Sequence, residues 1–225
     1  MFVSDLVELM SNINQYATWE LFLGEISRNI SPSKEEIVES LSFLQERQLC
    51  SKERFDAIVA VRYMASYEQA INEYLHPPMD FKQANIKAEL IHFGSVFEGL
   101  LEVLLVNLYK NRKITLDKYN AWFSSSTANE LVIDGERLAK KSKQGRVLAM
   151  SFKAVIDSLK AWNKNENNED SDMADQLRMI DMLRQERNSV HVNQMVETSI
   201  QHEEYRLVEV REKWLKFVSI VNKQI

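Results

Sequence analysis

Only five glycines and three prolines occur in 225 residues, where ordinary usage is roughly 7% and 5%. That scarcity argues against folds built on tight turns, and neither G-x-G-x-x-G nor G-K-[ST] is present to cradle a phosphate. Cys50 is the single cysteine, so no internal disulfide can form and no oxidising compartment is required. At a helix end among apolar residues it reads as a small core side chain. The four histidines, His76, His92, His191 and His202, have no close spacing to one another, and no H-E-x-x-H or cysteine cluster accompanies them. A zinc-type metal site is therefore not expected, nor is any cofactor. G-x-S-x-G is missing as well, which removes the hydrolase nucleophile elbow. The most apolar stretch, Phe97 to Leu108, is interrupted by Glu98, Glu102 and Asn107 and is too short for a bilayer. Met1-Phe2-Val3-Ser4-Asp5 has no basic start, so no signal peptide is read there. These absences predict a cytoplasmic protein with no membrane partner.

What is present is the mixture of a folded protein, 45% hydrophobic and 27% charged, with a net charge of -5. The pI near 5.5 argues against gripping nucleic acid through bulk electrostatics. Arg137, Lys140, Lys141, Lys143, Arg146 and Lys153 nevertheless form a basic run with no acid among them. Such runs are ordinarily a solvated helix face and loop; the alternative is a docking surface for a polyanion.

Helical periodicity dominates, and no run of alternating residues is long enough to predict a strand. Short helices are expected over Val3 to Ile13 and Thr18 to Ser27. Pro32, between Ser31 and Ser33, starts a third that carries Ile37, Leu41 and Leu44 and ends near Gln48. A fourth begins after Ser51 and runs on to Leu75, where His76-Pro77-Pro78 stops it. The Pro-Pro pair divides an N-terminal helical module, residues 1–76, from a bundle over 79–225. A helix-turn-helix in the first sixty residues would present Glu35, Glu36, Glu39 and Glu46 to phosphates, which favours a packing role instead. The longest helix, about Phe81 to Tyr109, is apolar on nearly all sides and so belongs at the centre of a bundle. Helices are then expected around Leu116 to Phe123, Asn129 to Lys140, Val147 to Trp162, Ser171 to His191 with Ser171 as N-cap, and Thr198 to Val221. The predicted fold class is all-α.

One segment stands apart: Leu183-Arg184-Gln185-Glu186-Arg187-Asn188-Ser189-Val190-His191. At 100° per residue, Met173, Leu177, Ile180, Arg184, Arg187 and His191 share one stripe. The inward face of this helix thus turns from apolar to cationic within two turns. Buried charge needs compensation, so this end should line a cleft, face a partner or pair with acids. Glu98 and Glu102 on the central helix are the candidate acids. If they bond the arginines, the segment is structural, with His191 capping the helix end.

Arg184 followed after six residues by His191, with Arg187-Asn188 inside, resembles the arginine-to-histidine motif of the HEPN superfamily (higher eukaryote and prokaryote nucleotide-binding). In that family the arginine often has a polar neighbour such as Asn. Arg184 matches the family's length, and Arg187 matches a shortened version with the Asn in place. The motif ends the penultimate helix of a bundle, a long final helix follows, and a Phe-Glu-Gly-Leu-Leu-Glu helix precedes. The likeness covers about Met79 to Ile225 and implies a helical bundle of HEPN type with an additional N-terminal helical module.

That resemblance implies a metal-independent endoribonuclease, of a kind often found as a toxin or antiviral effector, working as a homodimer with both motifs in a shared cleft. Arg184 or Arg187 would stabilise phosphate charge that grows in the transition state. His191 would move a proton, and Asn188 would orient phosphate or histidine. Glu98 and Glu102 would orient the cations. RNA would be held by Lys140, Lys141, Lys143 and Arg146. Other HEPN domains are non-catalytic interaction or nucleotide-binding modules, and the acidic pI suits that alternative. An antitoxin or a nucleotidyltransferase is the kind of protein partner implied. A DNA-binding regulator using the acidic N-terminal helices ranks last.

Overall fold

The structure, a computed structural model, describes Gly24 and residues 30–115, 121–125, 136–141, 147–167, 169–188 and 200–225; for 121–125, 136–141, 147–149, 186–188 and 200–203 it describes the backbone alone. The helix expected over Val3 to Ile13 lies outside the described residues, as does that over Thr18 to Ser27 apart from Gly24.

Among the described residues, the first helix, α1, is Lys34–Leu41. It starts where the serines flanking Pro32 predict. The Glu36 amide donates to Ser33 Oγ at 3.2 Å, and the Ser33 amide donates to Glu36 Oε2 at 2.7 Å. This reciprocal capping box satisfies two backbone donors that a helix start otherwise leaves open. After a break at Ser42 comes the single turn α2, Phe43–Glu46. Ser51 then caps α3, Lys52–Leu75, by accepting from the Arg54 amide. His76 ends α3 in the left-handed conformation, and Pro77-Pro78 hands the chain to α4, Met79–Lys110.

The middle and end of α4 are largely buried from Ile86 to Leu108, with Ala88, Ile91, His92, Ser95, Glu98 and Glu102 half-buried along one stripe. α3 packs along it, and α5 (Phe152–Glu166), α6 (Ser171–Asn188) and α7 (Ile200–Gln224) cover the remaining faces. The outcome is an all-α helical bundle with a single main core. Ile37, Leu41 and Leu44 from the first helices share that core with Leu104, Ile156, Ile180 and Val221. The Pro77-Pro78 corner therefore turns the chain inside one core rather than separating two. Cys50 is buried in the same cluster. Phe97 meets Phe217 edge-on at 4.9 Å between centroids, locking α4 to α7. The buried face of α7 is Leu207, Val210, Trp214, Phe217 and Val221, whereas Tyr205, Val208 and Leu215 stand exposed. No helix among the described residues is long and apolar enough to cross a membrane.

Between α4 and α5 the expectation of helices is corrected. Ala121–Ser125 (β1), Glu136–Lys141 (β2) and Val147–Ala149 (β3) form a small antiparallel sheet in the order β1-β2-β3. Ala121 pairs with Lys140 and Ser125 with Glu136, while Lys141 pairs with Val147. Helix-forming residues such as Glu136, Leu138 and Lys140 misled the periodicity reading, because strand propensity yields to cross-strand partners that no local window contains. The helix expected from Val147 begins instead at Phe152, after the Ser151 N-cap.

Asn107 carries the α4 interior past its polar demands. Its Nδ2 donates to the Leu49 carbonyl at 2.9 Å and to the Val103 carbonyl at 2.8 Å, tying the turn before α3 to α4. Close approach of α3 and α4 depends on Gly99, where an added Cβ would lie 3.2 Å from Ile58 Cγ1. Gly99→Val should accordingly lower stability by about 1–3 kcal/mol through overpacking, read as a lower urea midpoint with an unchanged slope.

Candidate functional site

α6 is placed by its connection to α5. Asn163 Nδ2 donates to the Asp170 carbonyl at 2.9 Å, and Asn167 Nδ2 donates to Asn163 Oδ1 at 2.8 Å. Asp170 Oδ1 then accepts from the Met173 amide at 3.1 Å, so Asp170 does the capping that Ser171 was expected to do. With that start fixed, Met173, Leu177 and Ile180 fall inward and are fully buried, as their shared stripe predicts.

The next residue on the stripe is Arg184, whose side chain is only 14% exposed. Its Nε donates to Asp181 Oδ1 at 3.0 Å, one turn back on the same helix. Lys160 reaches across from α5 and donates from Nζ to Asp181 Oδ2 at 2.6 Å. One carboxylate thus holds two cations from two helices. Burial pushes the Asp181 carboxyl up, but the bonds and charges of Lys160 and Arg184 outweigh it and hold the carboxyl below its ordinary value. A groove of about 620 Å³ opens beside this cluster, floored by Met179 and Met182 and rimmed by Lys160, Asp181, Glu209 and Lys213.

Of the acids expected to serve the arginines, Glu102 does other work. Glu102 bonds Arg54 of α3, closing the α3–α4 contact beside Gly99. Burial raises the Glu102 carboxyl, with Arg54 pulling it the other way. Glu98 lines the same α3–α4 groove. Arg184 draws its carboxylate from its own helix, because an i, i+3 partner is already within reach once the helix forms. Arg187 and Asn188 are backbone positions of the last turn of α6, and their side chains lie outside the described residues, as does His191. Of the basic run, Lys140 and Lys141 sit on β2, a strand rather than a helix face, and Lys143 and Arg146 lie outside the described residues. Lys153 pairs with Asp157 on α5 at 3.0 Å. Among the described residues, no three His, Cys, Asp or Glu side chains gather where they could hold a metal ion.

A second charged cluster, not anticipated, lies inside the bundle. Glu89 of α4 is fully buried and accepts from Arg211 of α7 through Nε at 2.7 Å and Nη2 at 2.6 Å. Arg62 of α3, 2% exposed, lays its guanidinium 4.6 Å from the Phe93 ring centroid and 5.2 Å from that of Trp214. It also donates from Nη1 to Ser66 Oγ at 2.8 Å. Burial pushes Arg62 down to about 10, with Glu89 opposing and Arg211 adding to the shift. Burial likewise raises the Glu89 carboxyl against the pull of Arg211. The signal was legible: Arg62 sits on the stripe of Phe55, Ile58, Val59 and Ala65, and Glu89 on that of Ile86 and Phe93. A charge on each of two buried stripes implies a bonded pair or triad.

Comparison with protein-family models, with curated proteins and with solved structures finds no match for this chain.

Two outcomes follow from these clusters. Glu89→Ala leaves Arg211, beside buried Arg62, with only its 3.6 Å contact to exposed Glu73 and should cost about 3–5 kcal/mol, measured by denaturant unfolding. Asp181, with its carboxyl held low, contributes stability above its unfolded value of about 3.9 and loses it as pH falls through the lower folded value. Asp181→Asn should therefore lower the melting temperature by a near-constant amount from about pH 5 to pH 8, the gap to wild type narrowing below about pH 4.

Proposed function

We propose that this chain is an endoribonuclease of HEPN type that cleaves RNA without a metal ion, through Arg184 and Arg187 of α6 and through His191. The observation that carries the reading is the continuation of the buried Met173–Leu177–Ile180 stripe into Arg184. A guanidinium sunk at the edge of a core, rather than waving in solvent, is in a position to be both oriented and strengthened by lower local dielectric.

The chemistry asked of these groups is transesterification. The ribose 2'-oxygen forms a bond to phosphorus while the bond from phosphorus to the 5'-oxygen of the next nucleotide breaks. The products are a 2',3'-cyclic phosphate and a free 5'-hydroxyl. His191 takes the 2'-hydroxyl proton or delivers one to the departing 5'-oxygen, and water handles the other transfer. Arg184 or Arg187 offers a planar fork of N–H donors to the non-bridging phosphate oxygens, whose charge grows in the transition state. Asn188 supports the phosphate or the histidine. Lys140, Lys141, Lys143 and Arg146 supply the backbone-binding surface, which a chain with net charge -5 needs locally. A homodimer would bring two such motifs to one cleft.

A second reading draws on the same residues. The Nε of Arg184 is already engaged by Asp181, and the chain is acidic overall, as suits a non-catalytic module that binds a protein or a nucleotide.

Cleavage of RNA by the wild type and by His191→Ala, both in EDTA, separates the two. The nuclease reading expects cyclic-phosphate ends from the wild type and a loss of about 10²–10⁴-fold in the variant. Equal cleavage in both, or none in either, overturns it in favour of the binding module.

A further inference from the structure

Two ion pairs of identical spacing lie on α6, and they differ in surroundings. Asp175 and Arg178 form an i, i+3 pair whose side chains are 56% and 70% exposed, an ordinary surface contact. Asp181 and Arg184 repeat the spacing nearer the end of the helix, but at 15% and 14% exposure. Only the second pair is joined by a cation from another helix, Lys160, on the remaining carboxylate oxygen.

We propose that Asp181 is a positioning residue for Arg184, holding its guanidinium in the plane in which it receives a phosphodiester; this rests on the ribonuclease reading above. Arg184 is tethered through Nε, so rotation about its terminal bonds is restricted, and in this proposal its terminal nitrogens are the edge that a phosphate meets. Asp181 is in turn kept from following Arg184 by the 2.6 Å bond from Lys160, anchored on α5. Two cations on one carboxylate leave one net positive charge, the complement of a single phosphodiester. Lys160 contributes as the fixed end of the tether and as a second positive charge beside the phosphate.

The test compares steady-state cleavage of one defined RNA by the wild type, Asp181→Asn, Asp181→Glu and His191→Ala, well below each melting transition. Removing an anion beside a phosphate site strengthens ground-state RNA binding, whereas loosening Arg184 weakens the transition state. Asp181→Asn should therefore lower kcat by about 10- to 100-fold with KM unchanged or reduced, and Asp181→Glu should restore part of kcat. A merely structural Asp181 would lower the melting temperature and leave kcat per folded molecule alone. If Asp181→Asn fails to fold, Lys160→Gln, which removes the anchor from α5 together with one positive charge, should lower kcat in the same sense. The proposal is overturned if the wild type cleaves, His191→Ala does not, and the folded Asp181 or Lys160 variant keeps kcat within about twofold. That result would leave the ribonuclease reading standing. An inactive wild type overturns both.

Discussion

From Ile86 to Leu108 the central helix turns apolar surface in several directions, and a single neighbour could cover only one stripe of it. Four further helices are arranged by that demand: α3, α5, α6 and α7 each contribute a buried face to α4, and α1 and α2 add Ile37, Leu41 and Leu44 to the same core. Leaving any side of Phe93, Phe97, Leu101 or Leu105 in water would forfeit roughly 1.5–3 kcal/mol for each side chain. The order of helices along the chain matters less than the requirement that α4 be wrapped.

Apolar contact says little about rotation or register, and in this bundle bonded charges specify both. Arg54 and Glu102 join α3 to α4, Arg211 and Glu89 join α7 to α4, and Lys160 and Asp181 join α5 to α6. Buried pairs of this kind add little net stability compared with apolar replacements, but a misregistered helix would leave one partner charged and alone. Arg62 extends the same logic by packing its guanidinium between Phe93 and Trp214, where flat, weakly hydrated cations are tolerated.

The candidate site stands where this wrapping stops. α6 buries Met173, Leu177 and Ile180 against the core and then presents Arg184 at its edge, so the core positions the cation without enclosing it. The expectation that Glu98 or Glu102 would neutralise it failed for a local reason. Asp181 is one helical turn away on the same element, whereas Glu102 faces Arg54 across a contact that Gly99 keeps close. Competition between a near acid and a distant one is decided by geometry that spacing along a helix partly contains: Asp181 to Arg184 is an i, i+3 pair in plain view.

Much was settled along the chain alone. The capping serines Ser33 and Ser51, the Pro77-Pro78 break, the all-round apolar α4 and the inward stripe of α6 depend on neighbours within a few residues, so local pattern determined the helices and the all-α class. Tertiary structure decided what depends on distant partners. The sheet of β1, β2 and β3 exists through pairing between separate strands, which no periodicity announces. Lys160 meets Asp181, and Arg211 meets Glu89 across a gap of 122 residues, only because the helices that carry them are packed around α4. A side chain's period fixes the face on which it lies; which charge awaits it there is set by the packing of the whole bundle.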